Sequence, residues 1–227
     1  VAIWFICFSL PLILKINNIN NKKKKNNENL FIEVIKNIKS LFTQSNKGRF
    51  LLARMIYTDG LNTLFAFGGL YAAGTFNMSF SEIIVFGILI NITAGLGALF
   101  FSFIEDRIGA KYVINISLIF LIIFGFSTLI INSKELFLLF GSALGFFIGS
   151  IQSSSRSFMS RYIVNGNNAE TYGIYAVSGK CTAFLGPALL ALIVSIFDSQ
   201  RAGMASIILF FLLGLYLLQK VEEPKHY

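Results

Sequence analysis

The sequence predicts an all-α membrane protein with six full transmembrane helices and one partial helix before them. Three observations predict it. Hydrophobic residues make up 55% of the 227 and charged residues only 13%, where a soluble domain carries roughly 25% charge. Long apolar segments follow one another with short gaps. Lys and Arg gather in alternate gaps, as membrane topology requires. This composition excludes a disordered chain, a disulfide-stapled secreted domain and a conventional cytosolic enzyme. The formal charge of +8 would suit nucleic acid if it were spread over a face. Most of it instead sits in one stretch between apolar segments, so no nucleic-acid partner is expected.

Residues 1–14, VAIWFICFSLPLIL, are apolar but shorter than the roughly 20 residues a helix needs to cross about 30 Å of hydrocarbon. No basic region precedes them as in a signal peptide. They read as the end of a truncated span. Residues 15–49 form a basic linker. Its first part holds seven Asn between Asn17 and Asn29 and the run Lys22 to Lys25, which buries nothing. The tetralysine is expected to attract anionic lipids. Near 30–42, Phe31, Val34, Ile35, Ile38, Leu41 and Phe42 recur at helical spacing, with Glu33, Lys36 and Lys39 opposite. That is an amphipathic helix lying in the headgroup layer.

A six-helix bundle then occupies 50–221, with spans near 50–76, 81–104, 112–132, 135–158, 170–197 and 202–219, and a short tail at 222–227. Positive residues mark one side. Lys15, Lys22 to Lys25, Lys47 and Arg49 lie in the first loop, Arg107 and Lys111 in the third, Arg156 and Arg161 around the fifth, and Lys220 and Lys225 in the tail. The intervening loops carry none, Lys134 alone and Arg201 alone. The linker, the 105–111 loop, the 159–169 loop and the C-terminus are therefore expected on the cytoplasmic side. Gly141, Gly145 and Gly149 repeat every four residues along one face, where a neighbouring helix can approach closely. Gly186 and Pro187 predict a kink in the fifth span.

Charge inside the membrane carries the functional information, because its cost confines it to the bundle interior or a pathway. Asp59 and Lys180 each lie about ten residues, or about 15 Å, from the cytoplasmic end of their spans. An ion pair across two helices is expected, serving either as a structural bridge or as part of a substrate or proton site. Asn62 shares the face of Asp59. Asn91 gives the second span a polar patch, Gln152 shares a face with Arg156, and Tyr175 adds a hydroxyl near Lys180. These six residues, Asp59, Asn62, Asn91, Gln152, Tyr175 and Lys180, are the candidates for substrate or coupling. Arg54, near the membrane edge, is expected to snorkel to the headgroups. Cys7, Cys181 and His226 form no metal-ligand cluster, and no phosphate loop or nucleophile elbow occurs. Neither cofactor, metal nor catalytic residue is expected.

The 105–111 loop reads E-D-R-I-G-A-K. It resembles the D-R-x-G-basic-basic signature of the major facilitator superfamily through Asp106, Arg107, Gly109 and Lys111, with Ala110 in place of one basic residue. Longer blocks, Ala53–Phe76, Asn91–Lys111, Ser153–Tyr162, Tyr172–Pro187 and Ser199–Met204, resemble the vacuole-effluxer-like, autophagy protein 22-like branch of that superfamily. The resemblance covers residues 50–224. It implies the C-terminal half of a twelve-helix secondary transporter, whose missing N-terminal six-helix half would be its partner. It further implies alternating access about a midplane cavity, with Asp106, Arg107, Gly109 and Lys111 in a cytoplasmic gating loop. The expected cargo is a small polar solute, with amino-acid efflux as one candidate and a proton as the candidate coupling ion. The alternative reading is a non-transporting membrane receptor or assembly scaffold that retains the fold. Abundant Asn, Ile and Lys suggest an AT-rich genome and hence a bacterial inner membrane.

Overall fold

The computed structural model describes residues 46–161 and 168–223. The truncated span, the tetralysine, the amphipathic helix near 30–42 and the end of the tail lie outside the described residues. Among those described, every regular element is a helix: α1 (Asn46–Phe76), α2 (Phe80–Ile108), α3 (Ala110–Ile130), α4 (Lys134–Ser160), α5 (Asn168–Cys181), α6 (Leu185–Phe197) and α7 (Gln200–Gln219). The joints are short and chemically marked. Ser79 and Glu82 form a reciprocal capping box at the start of α2. Ser133 and Ser199 accept the backbone N–H groups of Leu136 and Ala202 to start α4 and α7. Each serine satisfies a donor that the first helical turn leaves without an intrahelical partner. Gly109 alone joins α2 to α3, at φ 90°, a conformation that side chains disfavour.

Among the described residues, five stretches are long and apolar enough to cross a membrane: α2, α3, α4, the stretch 172–197 that α5 and α6 share, and α7. Six full spans were expected. At 31 residues α1 is about 46 Å long, so it has the length. Arg49, Arg54, Asp59 and Asn62 keep it below the apolarity of the others. The fifth expected span is real but interrupted. The chain leaves the helix at Thr182 and re-enters at Leu185, just ahead of Pro187. Proline is tolerated there because the first turn of a helix has no intrahelical use for its N–H groups.

The apolar pattern faces outward as well as inward. On α2, Val85, Ile88, Ile92, Leu96, Leu99 and Phe103 are all more than half exposed, Phe103 by 73%. Such a face would aggregate in water and suits lipid or a further helix. Contacts inside the bundle rest on close backbone approach. A Cβ on Gly145 would press on the Ile90 carbonyl, and one on Gly149 would overlap the Ala94 carbonyl. From the other side, a Cβ on Gly97 would overlap the Phe146 carbonyl. The expected glycine ladder therefore has its partner, and the partner is α2. Gly60 and Gly214 do the same between α1 and α7, against Phe210, Phe211 and Tyr57. Phe76 stacks on Phe137 with ring centroids 4.3 Å apart, closing the core beside Tyr71 and Phe86.

The loops sort into two ends. Asn46 exchanges hydrogen bonds with the Glu222 backbone, and Arg161 reaches both Glu105 and Glu223. One end thus gathers the start of α1, the α2–α3 joint, the end of α4 and the chain after α7. At the other end Lys134 pairs with Glu82, and Arg201 bonds the Ile131 carbonyl and the Asn132 amide. The gathering at the first end is the one the alternation of positive loops predicts.

Replacing Gly149 with Ala forces a methyl into the Ala94 backbone, and overpacking of this kind costs typically 1–3 kcal/mol. Gly87→Ala is the control, since nothing lies within 4 Å of a Cβ there. Thermal unfolding in detergent should show a lower Tm for the first and an unchanged or higher Tm for the second.

Candidate functional site

Several polar residues of α1 bond to α5 and α6. Arg54 turns inward to α5, correcting the expectation that it snorkels. Its Nη1 donates to the Tyr175 carbonyl at 2.7 Å and to Ser178 Oγ at 2.8 Å, and its guanidinium lies 3.5 Å from the centroid of the Tyr175 ring. Thr182 Oγ1 donates back to the Met55 carbonyl at 3.2 Å. Asn62 Nδ2 reaches the Gly179 carbonyl at 3.5 Å. Interhelical polar contacts therefore run along α1 beside the last turns of α5. Gly179 lets the two helices come close here, with the Arg54 guanidinium 3.0 Å from where its Cβ would be.

Asp59 sits one turn further along and meets the interruption itself. It is buried, with 1% of its surface exposed, and its Oδ2 accepts the Gly186 N–H at 2.8 Å. Gly186 belongs to the first turn of α6, whose donors have no intrahelical acceptor. A carboxylate there also faces the positive end of the helix dipole. Gly186 must be glycine, since a Cβ would collide with Thr63 Oγ1. The expected ion pair with Lys180 is not made. Lys180 is exposed, and no ion pair joins it to a described carboxylate. The Gly186 N–H freed at the start of α6, not the lysine, meets the acid. The second oxygen, Oδ1, has no hydrogen-bond partner among the described residues.

Arg54, Tyr57, Asn62, Gln152, Arg156 and Tyr175 line a polar cleft of about 140 Å³ between α1, α4 and α5. Tyr57 and Ser155 share a hydrogen bond of 2.7 Å at its wall. Three of the six candidates, Asn62, Gln152 and Tyr175, therefore meet. Asn91 does not join them. It bonds its own helix at the Gly87 carbonyl, 2.8 Å away, and borders a separate apolar cleft of about 210 Å³ with Phe65, Phe86 and Ile90. No group of three or more potential metal ligands occurs among the described residues.

The 105–111 loop is tied down by residues other than those its motif suggested. Asp106 and Arg107 are exposed. Glu105 is buried and accepts Arg161 Nη2 at 3.3 Å, while Arg161 Nη1 meets Glu223 Oε1 at 3.2 Å. Glu223 also accepts the Lys111 backbone N–H at 3.4 Å. Its carboxylate lies where a Cβ on Gly109 would be, so Gly109 serves both a positive φ and a close approach. Lys111 Nζ reaches the Gln219 carbonyl. Sequence reasoning missed Glu105, Arg161, Glu223 and the inward role of Arg54. One signal for Glu105 was available: it continues the four-residue spacing Gly97, Phe101, Glu105 on the face of α2 that packs on α4. Glu223, distant in sequence, gave none.

Asp59→Ala strands the Gly186 donor, and a buried unsatisfied donor costs about 1–3 kcal/mol. Asp59→Asn keeps an acceptor and should cost less. Swapping the charges, Asp59→Lys with Lys180→Asp, should rescue nothing. Thermal unfolding of the three variants reads these outcomes. At the bundle end, Arg161→Ala leaves buried Glu105 without its cation and should cost on the order of 2 kcal/mol. The paired change Arg161→Ala with Glu105→Gln should recover part of that loss in the same measurement.

The profile of the family described as Vacuole effluxer Atg22 like matches residues 1–226. An uncharacterised MFS-type transporter, YxiO, of Bacillus subtilis strain 168 is 21% identical over 98% of this chain and 52% of its own length. Autophagy-related protein 22-1 of Aspergillus fumigatus is 24% identical over 99% of this chain and 42% of its own. Autophagy-related protein 22 of Yarrowia lipolytica is 27% identical over 78% and 32%. The chain thus spans about half or less of the length of these relatives. No solved structure matches it. The family's description and the names of these relatives are those of effluxers and transporters. With apolar spans and a family match over nearly its whole length, this integral membrane protein belongs to the vacuole effluxer Atg22-like family.

Proposed function

We propose that this chain is the C-terminal half of a twelve-helix secondary transporter of the major facilitator type, carrying a small polar solute by alternating access. The observation that carries this reading is the interrupted span beside the polar cleft. Transporters build midplane sites from discontinuous helices, whose free backbone groups serve as ligands and whose joints bend. The break at 182–184 lies directly against α1, with Asn62, Gln152 and Tyr175 open to the cleft alongside. In this reading α1 completes a set of six spans, residues 1–14 end the sixth helix of the whole protein, and residues 15–49 link the two halves.

An N-terminal half would close the cleft from its open side. The end that holds Gly109, Arg161 and Glu223 faces the cytoplasm, and the Glu105–Arg161–Glu223 bridges act as a latch that forms in one state and parts in the other. Lys22 to Lys25 hold the linker on anionic lipid. Asp59, with one carboxylate oxygen unpartnered beside the hinge, is the group for a coupling proton. Efflux is the favoured direction because the family is one of effluxers, and amino acids are the first solutes to test. A bacterial inner membrane is the proposed location.

The test is counterflow of labelled amino acids and other small polar solutes in liposomes holding the full-length protein. Asn62→Ala with Gln152→Ala should lower counterflow roughly tenfold or more, the loss expected when positioned polar contacts are removed from a solute site, with Tm little changed. Wild-type counterflow in that double variant would remove the cleft from the solute path.

A further inference from the structure

We propose that the cleft between α1, α4 and α5 is an oxyanion site that takes the carboxylate of a small organic solute on Arg54, with Arg156 and Gln152 at its mouth. This rests on the transport reading for its biological use, but the argument for the site is independent. The cleft holds two guanidinium groups and no acid among its lining residues. Neither Arg54 nor Arg156 forms an ion pair with a described carboxylate. The nearest acid in sequence, Asp59, is absent from the lining and is committed to the Gly186 N–H. A half-buried cation within a membrane bundle ordinarily finds an anion, and here the described residues supply none.

The geometry prepares Arg54 for one. Its Nη1 alone is used, by the Tyr175 carbonyl and Ser178 Oγ, and the Tyr175 ring supports the guanidinium face. These contacts fix the plane of the group. Nε and Nη2 have no acceptor on any described residue. A planar fork held in place with free donors matches a carboxylate, which accepts two parallel hydrogen bonds. Gln152 and Arg156 are exposed at the opening, where an amide and a second cation can meet the rest of the anion. The site would repel cationic solutes. A lipid phosphate shares the oxyanion chemistry, but Arg54 is held inward against Tyr175 and Ser178 of α5. The proposal therefore commits to a soluble carboxylate.

The test uses purified full-length protein in detergent and reads ligand-dependent shifts in Tm at matched ionic strength. The probes are lactate, pyruvate, glutamate and leucine, each compared with its own primary amide, and phosphatidylglycerol. At least one carboxylate should stabilise the protein while its amide does not. Arg156→Gln, at an exposed side chain with no ion pair to a described residue, should weaken that response roughly tenfold or more, as loss of a charge-assisted contact does. Arg54→Gln should abolish it, and Arg54→Lys should not restore it, since a point charge lacks the fork.

Equal responses to acid and amide, a response to phosphatidylglycerol alone, no response to any carboxylate, or unchanged binding in Arg156→Gln would each overturn the site. Counterflow separates this from the transport reading. Carboxylate binding without counterflow keeps the site and removes transport. Counterflow that neither arginine variant alters keeps transport and removes the site.

Discussion

In apolar surroundings a backbone donor has no water to fall back on, so every N–H and C=O must find a partner within the protein. That constraint explains the most unusual contact in this bundle. The stretch 172–197 leaves the helix for three residues and so frees donors at the start of α6. Asp59 takes one of them from α1, and Thr182 returns a hydrogen bond to the α1 backbone. The interruption is thus held open by the neighbouring helix. An acid that looked like half of an ion pair is a helix cap supplied from another helix.

Helix association follows a second consequence of the same surroundings. Lipid gives no hydrophobic drive between helices, so close contact has to supply the attraction. The α2–α4 seam meets this with glycines on both sides, Gly97 on one helix and Gly141, Gly145 and Gly149 on the other. The α1–α7 seam uses Gly60 and Gly214. Where α5 and α6 meet α1 and α7, Gly186 lies against Thr63 and Gly203 against Val194. The part of the bundle with the broken helix is also the part with the polar cleft. Polar lining and a local joint thus occur together, which is the combination a moving binding site needs.

The bundle ends show how charge is used where water returns. Arg161 holds two carboxylates from different segments, and Glu223 in turn reaches the backbone after Gly109. The loop motif is therefore anchored through Gly109 and Lys111, while Asp106 and Arg107 remain exposed. An arrangement of a few exchangeable bridges is well suited to parting and re-forming. The opposite end has its own pair, Lys134 with Glu82.

Much of the architecture was legible in the chain itself. Apolar run length located α2, α3, α4 and α7, and the four-residue glycine spacing announced a close partner. These properties are local, so composition and period suffice to read them. The family was legible too, through long blocks of matching residues. The partners were not. Depth along a helix put Asp59 level with Lys180, yet which groups meet depends on how α5 turns at its break, and that depends on Asp59, Thr182 and Gly186 acting together. Arg54 looked like an edge residue because its position along α1 says nothing of its rotation about the axis. Glu223 lies 118 residues from Glu105 in the numbering (223 − 105), and only the packed bundle brings both to Arg161. The sequence by itself determined which segments are helical, how apolar they are and where helices come close. Tertiary structure decided which polar group answers which, because hydrogen bonds act over about 3 Å while sequence spacing resolves only the face and the level of a residue.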